Sequence, residues 1–528
     1  MGVALYSRPH LPVDETRYLA VAWEMWLRED FLVPHLNGQT YSHKPPLLFW
    51  LIHAGWGLFG VNDWWPRLVA PLFGLGCLFL TRNLARSLWS ADPQTADLVP
   101  LLLSGCLFWT LFVTLTMFDM MLAFFGLLGL LGVVKTCRGA GRLGFVYIAL
   151  AVGLGILTKG PAILLHILPV ALTAPIWAKR LLDKDVQRPP IGAGWYGRLL
   201  ISVSGGIAMA LVWAVPAGMA GGDAYQQAIF WGQAAGRMVE SFAHQRPIWW
   251  YTALLPVLIL PWMIWPPLWK ALRDLGTGLW RDGGGLLCLI WGLTAFIAFS
   301  LISGKQLHYL LPEFPALALI AARSFSVSDR HFHTSRLGQL PAAALFLVLG
   351  LILVLFPLDL IPVRLPLWAP EVAGNWGGLV VVASLFTLVY RSKSVISGVA
   401  CQVVLPVSLI VAVHLALSPV LSKRYDLKPI ALQLKAWEDD GLPIANFGKY
   451  HGQYQFLGRL TRPLAIIGLR VGDVESFLQD HPTGRIVTYY PKVPNRAKPL
   501  AVYPFRRGVI VLWDAKTMIA HPGIGNRS

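Results

Sequence analysis

"FDMMLAFFGLLGLLGVVKTCRGAGRLGFVYIALAVGLGILTKG", Phe118 to Gly160, decides the fold class. Two apolar runs, 120–136 and 143–157, flank a short connection that holds Lys135, Arg138 and Arg142. Each run approaches the roughly 17–25 residues a helix needs to cross ~30 Å of hydrocarbon. Basic residues gather in connections on the cytoplasmic side of a membrane. Asp119 stands immediately before the first run, between apolar stretches and with no charge beside it in the sequence. A lone carboxylate there is costly unless paired or functional, which leaves a structural salt bridge and a site as the two readings.

The pattern repeats along the chain. Its 528 residues are 55% hydrophobic and 13% charged, and the mean hydropathy is +0.57. Soluble domains carry about 25% charged residues. About twelve spans are expected, at 66–87, 97–117, 120–136, 143–157, 160–178, 198–219, 248–269, 285–303, 308–323, 339–356, 375–390 and 396–417. Short alternating segments of a porin-like barrel are absent. Arg82/Arg86, Lys135/Arg138/Arg142, Lys179/Arg180/Lys184/Arg188, Lys270/Arg273/Arg281, Arg323/Arg330/Arg336 and Arg391/Lys393 mark alternate connections. The opposite connections hold only Lys159, Arg237, Arg246, Lys305 and Arg364. The basic side is therefore assigned to the cytoplasm.

The net charge of +17 is spread over these loops and forms no basic stripe interleaved with aromatics, so no nucleic-acid partner is expected. The first 30 residues show no cleavable signal peptide. Five cysteines suggest no disulfide framework or thiolate site. Without a Walker loop, a dinucleotide-binding glycine pattern or HExxH, no nucleotide cofactor is expected.

Three regions follow. Residues 1–65 read as an outer segment with an amphipathic helix, whose stripe is Tyr18, Ala22, Met25 and Trp26, and a second, interfacial apolar helix. Residues 66–419 form the membrane core. Residues 420–528 alternate helix-like and β-rich pieces and read as a small α/β domain on the outer face.

The polar residues of the outer face come from separated segments. Asp14, Glu15, Arg17 and Tyr18 open the amphipathic helix, where acids can be no more than dipole partners. "LNGQTYSHKPPLLFW", Leu36 to Trp50, brings Tyr41, His43 and Lys44 to two prolines that fix the backbone. Lys44 there suits a phosphate or is simply an interfacial lysine. Asp119, Lys305, His308, Tyr309, Arg237, His244 and Arg246 complete the set. Acids and bases from at least four segments at one face imply a charged cavity for a substrate with an anionic head and a greasy tail.

"DETRY", "NGQTYSHKPPLLFW", "MFDM", "GILTKGP", "HQRPIWWY" with "LPW", and "SGKQLHYLLPEFPALAL" together resemble the polyprenyl-phosphate-sugar-dependent glycosyltransferases of the GT-C fold. That group includes the 4-amino-4-deoxy-L-arabinose transferase of lipid A and the protein O-mannosyltransferases. The resemblance covers about residues 10–325. It implies Asp14 as the principal catalytic carboxylate, with Arg17 and Tyr18 beside it, and Asp119 as the second acid. It implies Tyr41 and Lys44 at the lipid phosphate, Tyr309 on the donor side, and Arg237 or Arg246 assisting the phosphate. Glu15 and Lys305 are expected at the substrate.

Two departures stand out. Family members normally carry a span before the DE motif, whereas 13 residues precede Asp14 here, which implies a misassigned start or a truncated chain. In the lipid A branch a glutamate usually precedes the lysine, and here it is His43. His43 and His244 are accordingly expected to approach each other and share a divalent cation, zinc or magnesium, beside the donor phosphate. The alternative is two interfacial histidines bonded to water or to the phosphate itself.

The expected reaction is inverting transfer of a sugar from a polyprenyl phosphate to a lipid, glycan or protein acceptor. Its place is the periplasmic face of a bacterial inner membrane. The rival class is a secondary transporter or flippase, which would place its ionisable groups near the bilayer midplane and show internal repeats.

Overall fold

The computed structural model describes residues 2–181, 193–231, 245–328, 335–360, 365–470, 472–495, 497–521 and 524. The chain opens with α1 (Gly2–Ser7) and α2 (Asp14–Arg28). The expected stripe of α2 is turned inward, with Tyr18, Ala22 and Met25 buried. Glu29 in the left-handed region (φ 54°) ends the helix. Asn37 and Gly38, both at positive φ, then turn the hairpin β1 (His35–Leu36) to β2 (Gln39–Thr40). Asn-Gly is the pair that a two-residue hairpin with matching twist demands. Pro46 leads into α3 (Leu47–Phe59), which is 13 residues long and lies on α2 rather than crossing a bilayer.

The membrane core follows as α4 (Trp65–Leu88), α5 (Pro93–Ser104), α6 (Leu107–Phe112), α7 (Asp119–Cys137), α8 (Gly141–Lys159), α9 (Ala162–Leu172), α10 (Ala174–Trp177) and α11 (Ala193–Gly221). It continues through the helices Gly283–Leu301, Phe314–Val327, Arg336–Leu355 and Val395–Arg424. Among the described residues eight helices are long and apolar enough to cross a membrane, or nine if α9 and α10 count as one bent span. The remaining expected spans are present in broken or short form. Segment 97–117 divides at Gly105, where the Trp262 indole occupies the place of a side chain. Segment 248–269 divides into Trp250–Leu258, a 3₁₀ turn Trp262–Ile264 and Pro266–Leu275. Its prolines remove the amide donors a continuous helix needs. Segment 375–390 yields the 13-residue helix Gly377–Val389, only ~20 Å long at 1.5 Å per residue.

Connections expected on one side also meet in space. Arg138 donates to Ser90 Oγ (3.1 Å) and Leu88 O (3.1 Å), and Arg323 bridges Asp92 (2.7 Å) and Asp282 (3.0 Å). Arg180 donates to the Trp280 carbonyl. These contacts tie the basic ends of the bundle together, opposite the polar cluster described below.

Beyond Arg424 a short helix, Lys428–Asp439, leads into a five-stranded sheet of order β4-β3-β5-β7-β6. Its strands are β3 (Ile444–Phe447), β4 (Ala465–Ile467), β5 (Arg485–Tyr490), β6 (Ala501–Phe505) and β7 (Gly508–Asp514). β3 pairs in parallel with β4 and β5, while β7 runs antiparallel to β5 and β6. This unit is docked on α2, the hairpin and α3. Trp23 Nε1 donates to Leu460 O (2.8 Å), Trp56 stacks on Phe456 (5.3 Å, 8°), and Asn37 exchanges two hydrogen bonds with Leu464. Asp63 accepts from Arg459 (2.8 Å) and Lys428 (3.3 Å).

Candidate active site at the mouth of the bundle

The site gathers around Phe118, the residue before α7. Tyr18 meets its ring edge-on at 4.9 Å and Phe49 at 5.9 Å, and the Lys44 ammonium lies 5.5 Å from its centroid. Three separated segments, α2, the hairpin loop and the start of α7, are thus held on one aromatic side chain. Tyr41 continues the cluster, 6.4 Å from Phe49 and 5.3 Å from His43.

Asp119 follows at the first turn of α7, 1% exposed. Lys159, the last residue of α8, reaches it with Nζ at 2.5 Å from Oδ1. Asp119 is thus held in a buried ion pair, the salt-bridge reading of the two that its sequence context offered. The Lys159 ammonium also lies 4.9 Å from the Tyr309 ring, and Tyr309 meets His308 at 5.1 Å. Asp119 is in the field of His308 and Lys44 as well as Lys159, and His308 also feels Asp14. Asp14 itself is exposed and accepts a hydrogen bond from Arg17, one helical turn on. The cations Arg17, Lys44 and Lys159 outnumber the carboxylates Asp14 and Asp119 here, which favours an anionic ligand.

Glu15 is placed elsewhere than expected. It is 3% exposed and turned into the protein. Arg8 grips both its oxygens (2.5 and 2.8 Å), and the amides of Leu11 and Thr116 donate to it at 2.8 Å each. Arg8 also donates to Thr114 O at 2.7 Å. Burial pushes the Glu15 carboxyl up, but the Arg8 charge and the hydrogen bonds from Arg8 and Thr116 outweigh it and hold it at about 2. Glu15 is a bolt between α2 and the loop that begins α7, not a substrate contact.

Lys305 is likewise buried, with Nζ on the carbonyls of Ile302 (2.5 Å) and Arg246 (3.0 Å), so it clamps backbone. Arg246 is exposed, and its amide donates to Ser303 O (3.2 Å). Arg237 and His244 lie outside the described residues. Among the described residues no three His, Cys, Asp or Glu side chains converge as a metal set. His43 is an exposed imidazole followed by the Lys44 ammonium. The other half of the expected cation pair, His244, lies outside the described residues.

Arg8, Phe118 and Lys159 join the expected residues here. Lys159 stands in the motif "GILTKGP" and Phe118 in "MFDM", whereas Arg8 lies in no such motif.

Residues 43–187 match the family described as dolichyl-phosphate-mannose-protein mannosyltransferase. The undecaprenyl phosphate-α-4-amino-4-deoxy-L-arabinose arabinosyl transferase of Edwardsiella ictaluri is 30% identical over 58% of this chain and 54% of its own length. That of Shewanella sediminis is 29% identical over 75% of this chain and 70% of its own. The match thus spans little more than half the length of the first of these relatives. In structure, ArnT from Cupriavidus metallidurans bound to undecaprenyl phosphate superposes with a TM-score of 0.73 at 22% identity, covering 97% of this chain and 95% of that one. That likeness shows the fold of this multi-pass membrane protein, and in sequence the chain is similar to polyprenyl-phosphate-sugar-dependent glycosyltransferases.

Proposed function

We propose that the chain transfers a sugar from a polyprenyl phosphate to an acceptor at the periplasmic face of a bacterial inner membrane. One observation carries this reading: Asp14, Lys44 and the Asp119–Lys159 pair, from three separate regions, converge on the aromatic mouth around Phe118. A phosphate headgroup held there would keep its lipid tail in the bilayer.

The leaving group is a phosphate, so catalysis needs charge stabilisation and an aligned nucleophile. Lys44 and Lys159 stabilise the departing phosphate, and Tyr309 keeps Lys159 in place from its other side. Asp14, exposed to solvent, takes the proton of a hydroxyl acceptor. With an ionised acceptor it orients the nucleophile instead. The new glycosidic bond forms as the bond from the anomeric carbon to the phosphate oxygen breaks, and this single displacement inverts the anomeric centre. Undecaprenyl phosphate-linked 4-amino-4-deoxy-L-arabinose is the first donor to try, since the sequence relatives are named for it.

The test is turnover by purified protein in lipid nanodiscs. Release of undecaprenyl phosphate together with a glycosylated, anomerically inverted product is expected, and a monodisperse Asp14→Asn variant should lose most of it. Near-normal turnover by that variant defeats the role of Asp14. Translocation of the intact lipid-linked sugar without transfer defeats the reading as a whole.

A further inference from the structure

We propose that His166 and Glu313 are positioning residues, a buried imidazole–carboxylate bridge that holds His308 and Tyr309 against the Lys159–Asp119 pair. His166 lies on α9 and Glu313 ends the 3₁₀ helix Leu307–Glu313, with Nδ1 and Oε1 at 2.5 Å. The side chains are 0% and 7% exposed. His166 Nε2 and Glu313 Oε2 meet no hydrogen-bond partner among the described residues, so the pair is closed on itself. Phe299 covers the imidazole at 5.9 Å and also packs on Tyr309 at 5.6 Å.

The segment needs such an anchor. Seven residues is long for a 3₁₀ helix, which is rarely stable beyond 3–4. Pro312 and Pro315 remove two amide donors where it joins the next helix. Its start is already fixed, because Tyr251 donates to Gln306 O (2.8 Å) and Lys305 clamps Ile302 and Arg246. Glu313 fixes its end. Lys159 stands seven residues before His166, across the break at Gly160 and Pro161. The bridge therefore closes a ring in which Lys159 leads through α9 to His166, to Glu313, and back along the 3₁₀ helix to Tyr309, which faces Lys159. Two apolar side chains would fill the space without setting this register. A buried imidazole–carboxyl pair adds little stability over apolar packing, and fixing one arrangement is the best-attested use of such groups.

The inference builds on the donor reading above, and its test has two arms. In Glu313→Ala and His166→Ala, the donor KM should rise by about tenfold or more while the acceptor KM stays put, because small misplacements of a binding group are costly. Glu313→Gln keeps an acceptor for the imidazole and should restore most of the loss. Glu313→Ala should also be non-additive with Tyr309→Phe. Independently of turnover, amide exchange across 307–313 should speed up in Glu313→Ala, with the exchange of the C-terminal sheet unchanged. Unaltered exchange of that segment overturns the proposal, as does an equal loss in donor and acceptor parameters that Glu313→Gln fails to rescue. If wild type turns over no donor, the functional reading falls and the exchange measurement alone decides the role of the bridge.

Discussion

Removing Glu15 tests the bolt between α2 and the start of α7. Its carboxylate receives four hydrogen bonds, two of them from an Arg8 side chain that is itself 2% exposed. Glu15→Ala strands that guanidinium in the interior, and breaking a buried pair from one side costs about 3–5 kcal/mol. The double variant Arg8→Met/Glu15→Met removes both charges and should recover much of that loss. Turnover should not recover with it. The Thr116 amide and Thr114 carbonyl have lost their partners, so the Tyr18–Phe118 ring contact is left to tie α2, and with it Asp14, to the start of α7. The assay is the thermal unfolding midpoint in detergent, paired with turnover, for wild type, both single variants and the double. The pH dependence has a definite sign. The folded carboxyl is held at about 2, below its ordinary 4.5. Its stabilisation is therefore complete above about pH 4.5 and is lost as pH falls toward 2, leaving the bolt closed and flat across pH 5–8. A Glu15→Ala protein with the wild-type midpoint refutes the bolt. A double variant that is both stable and fully active refutes its link to catalysis.

Asp14→Asn should keep the wild-type unfolding midpoint within experimental error, because an exposed pair one turn apart is worth little; a large destabilisation would assign Asp14 a structural role. Lys44→Ala should raise the donor KM roughly 10–100-fold, the worth of one charge-assisted hydrogen bond, and an unchanged donor KM would return it to the role of an interfacial lysine. A reporter active only in the periplasm should be active when fused at Ser528 and silent near Arg391, and the reverse would invert the topology. Chelator-washed protein should keep its activity, since Lys44 and Lys159 supply the charge; loss of activity together with a metal content that depends on His43 or His244 would reinstate the cation.

The Asp119–Lys159 pair could have been read from the sequence by counting. Both residues lie about 20 positions from Gly139, at the centre of the short basic connection. Two antiparallel helices that rise 1.5 Å per residue from one turn bring positions equidistant from it to the same depth. A carboxylate at one far end must then meet the lysine at the other. Glu15 illustrates the opposite lesson. Neighbours on a helix point about 100° apart, so Asp14 and Glu15 cannot face the same ligand. The stripe of Tyr18, Ala22 and Met25 already marked the buried side, and Glu15 lies one turn before Tyr18 on it. Its partner Arg8, however, comes from outside any periodic element, and Thr116 is 101 positions away. No local pattern carries such a contact. The broken spans were hidden for another reason, since hydropathy sums side chains and is blind to missing amide donors. Pro256 and Pro261 lack those donors in the broken segment 248–269, and at the Gly105 break the Leu107 amide turns to Leu260 O (2.9 Å). Regular helices give this protein its membrane span, and Asp119, Lys159 and Tyr309 of the candidate mouth stand at their ends and interruptions.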